Sequence, residues 1–182
     1  MLILLVKISL VSITNLVNEV ERAIAKILEY AENSEIYICG HSAGGHLTSL
    51  MLYADFEKKY NVKTNSIKGL CLISGVFKLE PLIKTDVNDN LKMDTNLANE
   101  LSPMLLNNKF SMDTSQIRIL LAYGEDESVA FKQQSMDYFQ LLKRANFKSI
   151  NCIEIKDCDH FNVIENISED DFSLTKVKFL SY

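Results

Sequence analysis

One serine in this chain stands in a setting that could make it a nucleophile: Gly40-His41-Ser42-Ala43-Gly44, a G-x-S-x-G pentapeptide. Alone, the pattern is weak and arises by chance. Its context gives it weight, because the short β run Glu35 to Cys39 precedes it and a helical stretch, His46 to about Phe56, follows. A sharp strand-to-helix turn would hold Ser42 in a strained backbone conformation, and the glycines two positions away on each side let strand and helix approach closely. The hydroxyl would stand above the carboxyl edge of a sheet. The Ala43 backbone N–H would point into the same space and stabilise an oxyanion. The bland alternative is a glycine-rich turn that closes a strand and carries no reactive group.

A serine hydroxyl is a poor nucleophile without a base, and the sequence offers three histidines. His41 and His46 are tied to the turn itself and are expected to pack near it or line its rim. His160 follows an apolar run, Ile150 to Ile155, in the loop Lys156-Asp157-Cys158-Asp159-His160-Phe161. It completes the order serine, acid, histidine. The acid, which would fix the histidine tautomer, is sought after Leu121-Ala122-Tyr123-Gly124, where Glu125-Asp126-Glu127 follow. The spacing G-x-x-acid selects Glu127, with Asp126 as the alternative and the surplus carboxylates on a solvated face.

These residues need a sheet to position them. Met1 to Val6 reads as a strand. It imitates the apolar part of a signal peptide, but Lys7 breaks it and no basic segment precedes it. Thr14 or Asn15 would cap a helix whose apolar stripe is Leu16, Val20, Ala23, Ile24, Ile27 and Leu28, with Glu19, Glu21, Arg22 and Lys26 facing water. Ile67 to Ser74 and Ile117 to Tyr123 are further buried strands, Ser128 to Arg144 a helix, and Phe172 to Phe179 a last helix. Strands alternating with helices predict an α/β domain over 1–182, with a mainly parallel sheet and helices on both faces. The insert Gly75 to Ser115, with Phe77, Leu79, Leu82 and Met104, is the expected lid or pocket wall.

Composition narrows the class. A chain of 182 residues, 47% hydrophobic and 24% charged, suits one globular domain. A net charge of −5 argues against nucleic-acid or anionic-membrane partners, and no window is long enough to span a bilayer. Cys39, Cys71 and Cys152 lie in strand-like runs and Cys158 in a loop, without a C-x-x-C pair. That is the usage of a reduced, cytoplasmic protein.

Several segments together resemble the kynurenine formamidases (arylformamidases) of the α/β-hydrolase superfamily. They are Ile38 to Leu47 (ICGHSAGGHL), Ser74 to Leu82 (SGVFKLEPL), Val87 to Leu91, Ser102-Pro103, Phe131 with Lys132 to Ser135, and Asp157 to Asn166. The resemblance implies a cofactor-independent, metal-independent hydrolase using Ser42, Glu127 and His160, with Ala43 N–H at the oxyanion. Its small-molecule substrate would be N-formyl-L-kynurenine, an intermediate of tryptophan catabolism. A broad carboxylesterase or lipase-like enzyme, or a non-catalytic remnant, are the alternatives. Two departures stand out. Glu127 aligns with the family's Asp, and Val129 with its Pro. The family's H-G-G segment, which donates the other oxyanion N–H groups, occurs nowhere in this sequence. Losing one such donor typically costs ~3 kcal/mol. On this reading the chain is the C-terminal majority of a longer domain. The early strands would be missing and a bared sheet edge would invite assembly into a homo-oligomer.

Overall fold

A computed structural model describes residues 2–4, 12–31, 34–106 and 109–168. Five strands, β1 (Leu2–Leu4), β2 (Ile36–His41), β3 (Ile67–Ile73), β4 (Arg118–Gly124) and β5 (Ser149–Ile155), form one sheet in the order β1-β2-β3-β4-β5. Every neighbouring pair is parallel. The central strands are near-continuous apolar runs because both of their faces are covered.

Alternate residues serve two cores. Ile38, Leu70, Leu72, Ile119 and Leu121 enter a large cluster with Val17 and Ile24 of α1 (Ile13–Tyr30) and Leu47 and Leu50 of α2 (Ala43–Leu50). Phe56 of α3 (Phe56–Tyr60) joins that cluster, and so do Tyr138 and Leu142 of α6 (Val129–Leu142). Cys39, Cys71, Ile73, Leu120 and Ala122 point the other way, where Val163 and Ile164 of α7 (Asn162–Glu165) cover them. Helices thus flank both faces, as expected. No helix among the described residues is long and apolar enough to cross a membrane.

The insert between β3 and β4 carries two short helices, α4 (Val87–Leu91) and α5 (Thr95–Glu100), and its prolines each open a 3-10 turn. It is pinned rather than loose. Gln134 Oε1 on α6 accepts the N–H groups of Phe77 and Lys78 at 2.8 and 2.7 Å. Ser102 Oγ accepts the Leu79 N–H at 2.9 Å, and the Asn88 side chain donates to the carbonyls of Ile83 and Met93. Val76, Leu79, Leu91, Met93 and Ala98 then pack with Ile13 as a third apolar cluster.

Several expectations need correction. The α1 cap is Ser12, whose Oγ accepts the Asn15 N–H at 3.3 Å, because starting there buries Ile13. Within α1, Ala23 is exposed, whereas Glu21 is buried: Lys59 donates to its carboxylate, and Tyr60 does so at 3.0 Å. The helix after the serine starts at Ala43 and stops at Leu50, and α3 is a separate element capped by the Asp55 side chain. Phe77 is not a pocket wall, since it is fully buried and stacked on Tyr138 with ring centroids 4.3 Å apart. Met104 likewise packs against the main core. The helix expected at Phe172 to Phe179, and the opening strand apart from Leu2–Leu4, lie outside the described residues.

Candidate active site

Parallel pairing places the carboxyl ends of all the strands at one sheet edge, the edge where open α/β sheets place their ligands. The loops leaving β2, β3, β4 and β5 carry Ser42, Ser74, Glu127 and His160 respectively. The first three loops are pinned to the neighbouring strand by continuing the ladder. Ser42 N donates to Ile73 O at 2.9 Å, Ser74 N to Ala122 O at 2.7 Å and Glu125 N to Ile155 O at 2.8 Å.

Ser42 has φ 55° and ψ −118°, a conformation that few side chains tolerate. The surrounding packing holds it there. A Cβ on Gly40 would lie 2.1 Å from the Gly44 carbonyl oxygen, so strand and helix could not come this close with any other residue. Ala43 is the first residue of α2, where a backbone N–H has no carbonyl within the helix to reach.

The three residues singled out from the sequence meet at this edge. His160 Nε2 lies 3.0 Å from Ser42 Oγ, and His160 Nδ1 lies 3.3 Å from Glu127 Oε2. Glu127 is buried and its other oxygen, Oε1, accepts the Ser74 hydroxyl and, at 3.0 Å, the Gly124 N–H. Burial by itself would push this carboxyl up. The hydrogen bonds from His160, Ser74 and Gly124 outweigh it and hold the group below its ordinary value, so it stays an anion. Asp126, the alternative acid, is exposed, and its backbone N–H binds the Cys158 carbonyl at 2.9 Å. Glu125 is also turned away, accepting the Asp157 N–H. Close approach matters here as well: a Cβ on Gly124 would sit 2.2 Å from Cys158 O and push the histidine loop outward.

Beside Ser42 opens a cavity of about 180 Å³. Ser42, Ala43 and His46 form one side. Leu79, Leu82, Leu91 and Phe131, from the insert and α6, are among the residues of its apolar walls. The expected contribution of the insert to the pocket therefore holds for Leu79 and Leu82. Among the described residues no group of three or more His, Cys, Asp or Glu is placed to hold a metal ion. All four cysteines are free thiols.

Kynurenine formamidases of Salmo salar and Danio rerio are 34% and 32% identical over 163 residues, 89% of this chain and 55% of each relative. The chain has the α/β-hydrolase fold and is similar in sequence to the kynurenine formamidases. It spans about half the length of those curated relatives. A family model described as Lipase (class 3) matches residues 4–71. The crystal structure of a putative thioesterase from a Silicibacter species superposes with TM-score 0.67 at 27% identity, covering 87% of this chain and 56% of that one.

Sequence reasoning leaves out two residues of this candidate site. Ser74 enters the sequence reading only as the end of a strand and the start of the SGVFKLEPL segment, yet its side chain, fully buried at φ 48°, binds the carboxylate of Glu127. His41, expected only to pack near the turn or line its rim, has its Nε2 2.7 Å from the main-chain oxygen of His160. His46 does pack beneath the turn. Its Nδ1–H donates to Val76 O at 2.9 Å, which leaves Nε2 as a buried acceptor without a partner. Burial pushes this imidazole down to about 4, against a smaller upward effect of the Val76 carbonyl.

That burial has a measurable consequence. The unfolded chain takes up a proton on this histidine near pH 6.5, whereas the folded chain refuses it until about pH 4. The stability it contributes is therefore complete above pH 6.5 and lost as pH falls toward 4, amounting to about 3 kcal/mol across the window. Urea unfolding at pH 7.5 and pH 4.5 should show His46→Gln losing less stability than the wild type by about that amount. Equal losses in the two proteins would contradict the assignment.

Proposed function

We propose that this site is a serine amide hydrolase that cleaves the formamide of N-formyl-L-kynurenine to kynurenine and formate, a step of tryptophan catabolism. The observation that carries the reading is the continuous line Ser42–His160–Glu127, with a buried anion behind the base. The names of the curated relatives support the substrate class.

The chemistry runs in two halves. Ser42 Oγ attacks the formyl carbon as His160 Nε2 takes its proton, and Glu127 stabilises the imidazolium through Nδ1–H. The tetrahedral oxyanion accepts the Ala43 N–H. Collapse breaks the C–N bond, and His160 returns the proton to the departing aryl amine. Water, deprotonated by His160, then attacks the formyl-serine. Its collapse releases formate and restores the Ser42 hydroxyl as the proton passes back.

A formyl group is too small to confer selectivity, so discrimination falls to the amine side. The cavity beside Ser42, about 180 Å³ with mainly apolar walls, suits one aromatic ring; a protein cavity of about 150 Å³ accommodates benzene. The test is a comparison of kcat/KM for N-formyl-L-kynurenine and a simple aryl acetate. The formamide should be turned over at least as efficiently. A preference of orders of magnitude for the acetate would replace this reading with a broad esterase.

A further inference from the structure

We infer that His41 is a positioning residue for the base: its side chain holds the main chain of His160 so that the imidazole faces Ser42. The inference rests on the reading of Ser42 as nucleophile and His160 as base. A carbonyl oxygen only accepts, so at 2.7 Å the His41 Nε2 must carry the hydrogen and donate it to His160 O. This bond crosses 119 positions of sequence and joins the loop of the nucleophile directly to the loop of the base. The two imidazoles lie with centroids 4.7 Å apart, so His41 also packs against the ring it positions.

The rest of the histidine loop shows why such a tie is needed. Asp157, three residues before the base, sits in the left-handed region at φ 55°. Asp126 N–H holds the Cys158 carbonyl on the near side. Asp159 Oδ1 accepts the N–H groups of Phe161 and Asn162 at 2.8 and 2.9 Å on the far side. These bonds fix the residues flanking His160; His41 grips His160 itself. His41 touches neither Ser42 Oγ nor Glu127 in this network, so it acts through His160. A loosened base spends less time within reach of the serine proton, and catalysis is steep in that geometry.

The test compares inactivation by a fluorophosphonate in the wild type, His41→Phe and His41→Gln, with melting temperatures measured alongside. Phe keeps a flat ring but has no donor, and Gln restores an N–H near the position of Nε2. The limiting inactivation rate should fall about tenfold in His41→Phe, equivalent to about 1.4 kcal/mol. Its half-saturating concentration should be unchanged, and Gln should recover most of the rate. A purely structural role would lower the melting temperature of both variants without this split. If His41→Phe does not fold, His41→Asn against His41→Gln serves, because the shorter amide falls short of the carbonyl. A wild-type rate in Phe or Asn, or a Gln variant as slow as either, would overturn the inference while leaving Ser42 as the nucleophile. No reaction at Ser42 in the wild type would overturn both readings.

Discussion

Replacing Ser42 by Ala, or His160 by Ala, should lower turnover of the formamide by about 10⁴- to 10⁶-fold, with either change costing nearly as much as both together. Members of such a unit are strongly non-additive, because without the nucleophile the base has nothing to activate, and without the base the hydroxyl stays protonated. The 3.0 Å contact between Ser42 Oγ and His160 Nε2 is what makes the two one unit. Steady-state rates for the two single variants and the double variant check this. A double variant much slower than either single one would mean that the residues act independently.

The second large effect is expected at the acid. Glu127→Gln keeps the shape and the bond from Gly124 N–H, but a neutral amide no longer stabilises the imidazolium and can present its NH₂ to His160 Nδ1, favouring the wrong tautomer. By analogy with the triad of the serine proteases, kcat should fall by about 10⁴. Asp126→Asn should change kcat less than threefold, since that side chain is exposed and the loop bond at this position comes from its backbone. Ser74 supports the same anion. If Asp126→Asn were the damaging change, the assignment of the acid would be wrong.

That Ser42, Glu127 and His160 come together is legible in the sequence because their positions follow from local rules. A G-x-S-x-G after a strand, an acid three residues after the glycine that ends β4, and a histidine after β5 each depend on one element and one turn. A parallel sheet then brings the three ends to a common edge without further information. Ser74 and His41 were not legible, because their partners are set by register between strands. Ser74 meets Glu127 across 53 positions and His41 meets His160 across 119. No periodicity within either segment encodes those distances.

The insert failed for a related reason. Its segments are too short for a period to tell inside from outside, so Phe77 reads as readily as a pocket wall as it does as core. What decides is its stacking on Tyr138 and the grip of Gln134 on its backbone. Glu21 was misread because a carboxylate on a helix face is ordinarily solvated. Here α3 brings Lys59 and Tyr60 over it, a tertiary contact that the helical stripe cannot reveal.

The most direct measurement is the intact mass and peptide map of the folded protein after treatment with a fluorophosphonate. One adduct per chain, located on Ser42 and absent from Ser42→Ala, is the expected result. A folded wild-type chain that takes up no label, or takes it up at another residue, would contradict the account.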